Sequence, residues 1–234
     1  MTDELSDALK RDETLAALLA AGLPEAPLLA LAAEVRCSAL VALQSGDEAG
    51  ALLRTLAIAE RAVAELEKTR RRGMTVLPEL ACRRGCSSCC QLRVEITALE
   101  ARRLVVPIRA LQLEESVQAR ANEVRGLSKS ERLKRHIGCA LLGADGACRA
   151  HEMRPLACRA ANSFDHTACE RALATSDPTS PLPVDSPRLA IQRACAVGLR
   201  AAQALLDLPN DLMELHEAVA RAIELDSASP SSTT

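Results

Sequence analysis

Cys82-Arg83-Arg84-Gly85-Cys86-Ser87-Ser88-Cys89-Cys90 is the stretch on which the reading of this 234-residue chain turns. Two of its four thiols are adjacent, and Cys139, Cys148, Cys158 and Cys169 follow downstream. The start of the chain, Met1-Thr2-Asp3-Glu4-Leu5-Ser6-Asp7, is charged and has no apolar core of the kind a signal peptide carries. That predicts a cytoplasmic protein, in which thiols stay reduced. Cysteines spaced this closely in such a setting point to a metal rather than to disulfides.

The spacing fits that chemistry. Short Cys-x2-Cys and Cys-x3-Cys loops bring two sulfurs to one ion with little ordering cost beyond the turn itself. Cys86 and Cys89 have the first spacing, Cys82 and Cys86 the second, and Gly85 frees the backbone to turn inward. In an extended stretch Cys89 and Cys90 would point to opposite sides, one ligating while the other serves a second centre or packs as a small hydrophobe. Cys82, Cys86, Cys89, Cys90, Cys139, Cys148, Cys158 and Cys169 outnumber the four ligands that one structural zinc or one cubane cluster uses. Either there are two sites, or several of these thiols are not ligands. Cys195 and Cys37 stand apart from the others and read as packing thiols.

Other side chains add less. His151 follows Cys148 at a spacing compatible with a shared metal, but the thiols suffice without it, and His136, His166 and His216 fall into no pattern. Arg154 and Arg159 flank Cys158 and suit hydrogen bonding to sulfur or to loop carbonyls around a thiolate site. They could also bind a carboxylate or phosphate.

Outward from the cysteines the chain reads as helical. Trp and Tyr are absent and Phe164 is the single aromatic, so a core of alanine and leucine favours close-packed helices over strands. Leu15, Leu18 and Leu19 mark one helix. A second runs from Pro27, and a third has the seam Leu52, Leu56, Ala59, Val63 and Leu66. Thr97-Ala98-Leu99-Glu100 is a capping box that opens another helix, which Pro107 kinks or divides. Gly143-Ala144-Asp145-Gly146 predicts a turn that brings Cys139 towards Cys148, and Asp165 a cap for the helix carrying Cys169. Two more helices are expected at about 188–206 and 211–225. The expected fold is therefore mostly α: a helical protein wrapped around a loop-rich cysteine/metal core, with at most a small β-hairpin. The segments are an N-terminal helical part (1–75), the cysteine core (76–175), C-terminal helices packing on it (176–225) and a disordered tail (226–234).

Charge excludes some partners. The 29 basic and 31 acidic residues leave a net charge of −2, which makes no case for nucleic acid or a membrane surface. The basic stretch Lys129–Arg135 is interrupted by Glu131 and lacks aromatics for stacking, so it reads as a solvated helix face. No uninterrupted apolar stretch approaches the roughly 18 residues of a bilayer span. The expected partners are a metal and a protein or peptide.

The ordered combination of the first cluster, the Thr97/Glu100 helix start, Cys139, and Cys148-Arg149-Ala150-His151-Glu152-Met153-Arg154-Pro155-Leu156-Ala157-Cys158-Arg159 resembles the YkgJ-type cysteine-cluster family. These are zinc- or iron-chelating domains with a CxxCxxCC motif. The resemblance covers about residues 80–170. It departs from the motif in placing three residues, not two, between Cys82 and Cys86. More distantly the cysteine arrangement is similar to that of the flagellin lysine methylases, which implies an iron–sulfur centre and methyl transfer from S-adenosylmethionine. Cys82-x3-Cys86-x2-Cys89 also has the radical S-adenosylmethionine spacing, but the alternating strands and helices of the barrel those enzymes need are missing. The expected cofactor is an iron–sulfur cluster, a four-iron cubane first, or zinc or iron ions. Two function classes are open: a redox-active or catalytic centre in protein or peptide modification, and a structural zinc module for partner binding.

Overall fold

Alanine and leucine at three- and four-residue spacing build most of the elements in the computed structural model, which describes residues 2–73, 77–177 and 179–228. The helices are α1 (Thr2–Arg11), α2 (Glu13–Ala20), α3 (Glu25–Gln44), α4 (Glu48–Arg72), α5 (Ala98–Ala110), α6 (Glu114–Val124), α7 (Lys129–Arg135), α8 (Leu156–Ala160), α9 (His166–Thr175), α10 (Ser186–Ala204) and α11 (Leu215–Ala228). Two short strands, β1 (Glu95–Ile96) and β2 (Met213–Glu214), pair antiparallel, with Glu95 opposite Glu214 and Ile96 opposite Met213. The fold is mostly α, as its composition requires.

The chain divides into two units that interleave along the sequence. The first comprises Met1–Ala81, Leu156–Phe164 and Pro183–Asp211. Its centre is the contact of α10 with α3 and α4. Leu5, Leu9, Leu15, Leu28, Ala32, Ala190, Ala194 and Val197 form one buried cluster there. Alanines and Gly198 let the α3 and α10 backbones approach closely: a Cβ on Gly198 would lie 2.4 Å from the Ala32 carbonyl oxygen. Asp12 caps α2 by accepting from the Leu15 amide at 3.0 Å, and its carboxylate also takes a two-pronged bond from Arg193 of α10. Asp185 caps α10 and holds Arg70 of α4 in the same two-pronged way, at 2.6 and 2.7 Å. Of the seam expected on α4, Leu52, Leu56, Ala59 and Val63 are buried, while Leu66 is only half-buried.

Three features of this unit differ from the sequence expectation. An additional helix, α1, precedes the first expected one. It is amphipathic in an otherwise charged segment and buries only Leu5 and Leu9. Cys195 is fully buried on α10, but Cys37 is exposed, because the buried face of α3 runs through Leu28, Ala32, Val35, Ala39 and Ala42 and misses it. And α3, though interrupted by Glu34 and Arg36, is by length and composition the one helix among the described residues apolar enough to cross a membrane. Its Leu28 and Ala32 belong to the buried cluster.

The second unit comprises Cys82–Pro155, Asp165–Leu182 and Leu212–Thr234. Here α11 packs against α5 and α6. Ile96, Leu104, Ile108, Val117, Val124 and Val219 are buried, each contributing about 1.5–3 kcal/mol over exposure. The Thr97 box closes fully: its hydroxyl accepts the Glu100 amide at 3.3 Å and Glu100 accepts the Thr97 amide at 3.0 Å. Pro107 is accommodated inside α5, and a new helix, α6, begins at Glu114. The C-terminal pair thus separates, α10 belonging to the first unit and α11 to the second. Residues 226–228, expected in a disordered tail, continue α11. Residues 229–234 lie outside the described residues, as do 74–76 and Pro178.

Candidate metal centre

Short turns shape the first cysteine loop. The Cys86 amide donates to the Arg83 carbonyl at 3.0 Å, the Cys90 amide to Ser87 at 2.9 Å and the Leu92 amide to Cys89 at 3.2 Å. These bonds wind Ser88–Gln91 into a 3₁₀ turn. In such a turn successive side chains are about 120° apart rather than opposed. The extended geometry expected for Cys89 and Cys90 is therefore corrected: the two thiols sit on one tight turn and are not sent to opposite sides.

The second loop is the expected hairpin. Gly143 donates to Ala147 at 2.8 Å, Arg149 to Leu141 at 2.8 Å, and Leu142 bridges Cys148. Asp145 holds the turn by accepting the Ala147 amide at 3.0 Å. Gly146 adopts φ +71°, a left-handed conformation that glycine enters without steric cost. It also meets the first loop, since a Cβ there would lie 2.9 Å from the Gly85 carbonyl oxygen. Gly85 itself has φ +87°. Two glycines thus allow the cysteine loops to touch backbone to backbone.

This contact gathers thiols electrostatically. The bond to Cys90 and then burial push the Cys89 thiol far up, while Arg154 opposes them. Burial raises Cys148, the Cys89 sulfur adds to it, and Arg154 again works the other way. Burial also lifts Cys139, to about 11, with Cys148 contributing and Arg132 opposing. Electrostatically, Cys89 is linked to Cys90 and Cys148, and Cys148 to Cys139, with Arg154 favouring the thiolates of Cys89 and Cys148. The upward shifts keep Cys89, Cys139 and Cys148 as thiols at neutral pH, so ligation by them expels protons. The Arg154 Nε also donates to the His151 carbonyl at 3.2 Å.

The remaining predicted residues fall around or away from this chain. Cys82 is exposed, and Cys86 and Cys169 are half-buried. Cys169 rides on α9, capped by Asp165 as expected, and α9 packs on the turn that carries Cys89 and Cys90. Cys158 and Arg159 lie on α8 in the first unit, where Arg159 pairs with Glu60 at 3.2 Å. His151 is exposed beside Glu152. Among the described residues no three His, Cys, Asp or Glu side chains converge on one point as an ion would require. The sulfurs are gathered as pairs. Their chemistry nonetheless fits a soft metal: an all-sulfur donor set suits zinc and iron–sulfur centres alike, and a cation would offset the burial that raises Cys139 and Cys148.

Sequence patterns missed one group. Arg132 on α7, Glu214 on β2 and His216 on α11 form a buried chain, with Arg132 bonded to Glu214 at 2.8 Å and Glu214 to His216 Nδ1 at 2.9 Å. Burial alone would raise Glu214, but His216 and Arg132 outweigh it and hold the carboxyl below its usual range. The partners are 82 positions apart, so no local spacing could signal them.

Comparison with known proteins gives one result. Residues 81–177 match the family model CxxCxxCC, described as a "putative zinc- or iron-chelating domain". No curated protein and no solved structure matches the chain. The ordered cysteines, the turn at Cys89–Cys90 and the hairpin at Cys148 all fall inside the matched segment, which is similar to the CxxCxxCC domains over residues 81–177.

Proposed function

We propose that this segment binds its metal through the thiolates of Cys89, Cys90, Cys139 and Cys148, with Cys82, Cys86 and Cys169 as further donors, and that an iron–sulfur cluster is the form it takes. The observation that carries the proposal is the backbone contact at Gly85 and Gly146, which brings the turn carrying Cys89 and Cys90 together with the hairpin carrying Cys139 and Cys148. A cluster offers several iron corners, so two sulfurs on one turn can each take their own. A single zinc needs four sulfurs at tetrahedral corners about one point. Arg154 lies where it would neutralise part of the surplus thiolate charge. A redox role, in a reducing cytoplasmic setting, follows from such a centre. A closed zinc site with a purely structural role is the second reading, favoured by the tight Cys139–Cys148 hairpin, which resembles a ligand pair for a single ion.

Anaerobic purification followed by metal and acid-labile sulfide analysis, with a visible absorption spectrum, tests this. Brown protein containing iron and sulfide supports the cluster. Colourless protein with stoichiometric zinc selects the structural site. Protein that retains neither metal, and takes up neither on reconstitution, overturns both.

A further inference from the structure

The Arg132–Glu214–His216 chain is unexplained by packing. The three residues are 2%, 1% and 1% exposed, and burying an ion pair is costly unless its lone pairs and protons find partners. Glu214 is well provided for. Its Oε1 accepts from Arg132 Nη1 at 2.8 Å and from His216 Nδ1 at 2.9 Å, and its Oε2 accepts the amides of His216 at 2.7 Å and Glu217 at 3.2 Å. With Nδ1 donating, Nε2 of His216 keeps its lone pair, and it accepts the Ala140 amide at 3.1 Å. The direction of this last bond is fixed by chemistry, because a backbone amide can only donate. The buried chain therefore ends on the residue that follows Cys139.

We propose that His216, locked as its Nδ1–H tautomer by Glu214 and Arg132, is a positioning residue for Cys139: by holding the Ala140 amide it sets the direction in which that thiol is presented to the cluster. Partners that orient a ligand from outside its coordination shell commonly matter to metal affinity almost as much as the ligands do. The consequence for metal binding rests on Cys139 being a ligand; the consequence for the thiol itself does not.

Two measurements on the full chain test this. In the wild type, nitrogen-15 NMR of the His216 ring is expected to show a protonated Nδ1 and an unprotonated Nε2; an Nε2–H tautomer overturns the proposal whatever the variants do. In His216→Phe, with the thiols unloaded, the alkylation rate of Cys139 read by mass spectrometry is expected to rise several-fold relative to Cys89 and Cys37. Zinc affinity from chelator competition is expected to fall by about 10- to 100-fold at unchanged stoichiometry. His216→Gln, whose side-chain carbonyl can accept the same amide, should recover part of both effects. A uniform rise at all thiols, or no change at Cys139 in a folded variant, refutes positioning. If Cys139→Ser binds zinc like the wild type while His216→Phe still alters Cys139 selectively, the ligand assignment falls and the positioning role stands.

Discussion

Gly146→Ala should loosen the contact between the two cysteine loops, and the structure allows its cost to be split. The first contribution is conformational: an L-residue held at φ +71° pays about 1–2 kcal/mol for the left-handed region. The second is steric, because the new Cβ lies 2.9 Å from the Gly85 carbonyl oxygen, closer than real Cβ contacts come. Overpacking of this kind costs about 1–3 kcal/mol. Gly85 sits in a loop and can yield, so the lower part of that range applies, and the sum is about 2–4 kcal/mol. Gly126 separates the two contributions: its φ is +72° and a Cβ there meets nothing within 4 Å. Gly126→Ala should therefore show the conformational cost alone, about 1–2 kcal/mol. Urea unfolding of both variants reads the difference, and chelator competition reads metal affinity, which should weaken in Gly146→Ala and not in Gly126→Ala. Equal loss of stability in the two, with equal metal affinity, would mean that the loops do not meet through these glycines.

Three further outcomes are expected. Gly198→Ala gains about 1 kcal/mol of helix propensity but drives a methyl against the Ala32 carbonyl at 2.4 Å, so unfolding should show a net loss of up to about 2 kcal/mol; a stabilised variant would contradict the close approach of α3 and α10. Asp185→Asn keeps a competent helix cap while removing the charge paired with Arg70, and should cost about 2–3 kcal/mol at neutral pH by chemical unfolding. Burial opposes ionisation of Asp185, but Arg70 and the Arg188 amide outweigh it and lower its pKa in the folded state. Its stabilisation is thus complete above the unfolded value of about 3.9 and is lost as pH falls through the lower folded value, so the gap between variant and wild type should close there. Cys89→Ser and Cys148→Ser should each lose bound metal by elemental analysis, whereas exposed Cys37→Ser should retain the full amount; Cys158→Ser, assayed alongside, reports whether that thiol belongs to the site.

What the sequence made legible was local. The capping box at Thr97, the Asp165 cap and the Gly143–Gly146 turn each depend on residues within four positions, and each forms. Composition alone dictated helices. The geometry at Cys89–Cys90 was not legible, because an extended strand and a 3₁₀ turn send adjacent side chains in different directions and serine neighbours allow either. The pairing of β1 with β2 and the burial of His216 were out of reach for another reason: Glu95 meets Glu214, and Ala140 meets His216, only after long loops have closed. The first helix escaped notice because Leu5 and Leu9 alone carry its apolar face.

The interleaving of the units bears on how the protein comes into being. The polypeptide passes from one unit to the other five times, at 81/82, 155/156, 164/165, 182/183 and 211/212. Neither unit is a continuous piece of chain, and an excised fragment 81–177 would leave α5 and α6 without α11 over their apolar faces. During translation the ribosome releases every cysteine before it releases Glu214 and His216. The thiols of the second unit therefore leave the ribosome before the helix α11 that completes that unit. Metal that arrives before α11 has been made would meet an incomplete unit, which makes the timing of metal delivery relative to the synthesis of α11 part of what this fold demands of its cell.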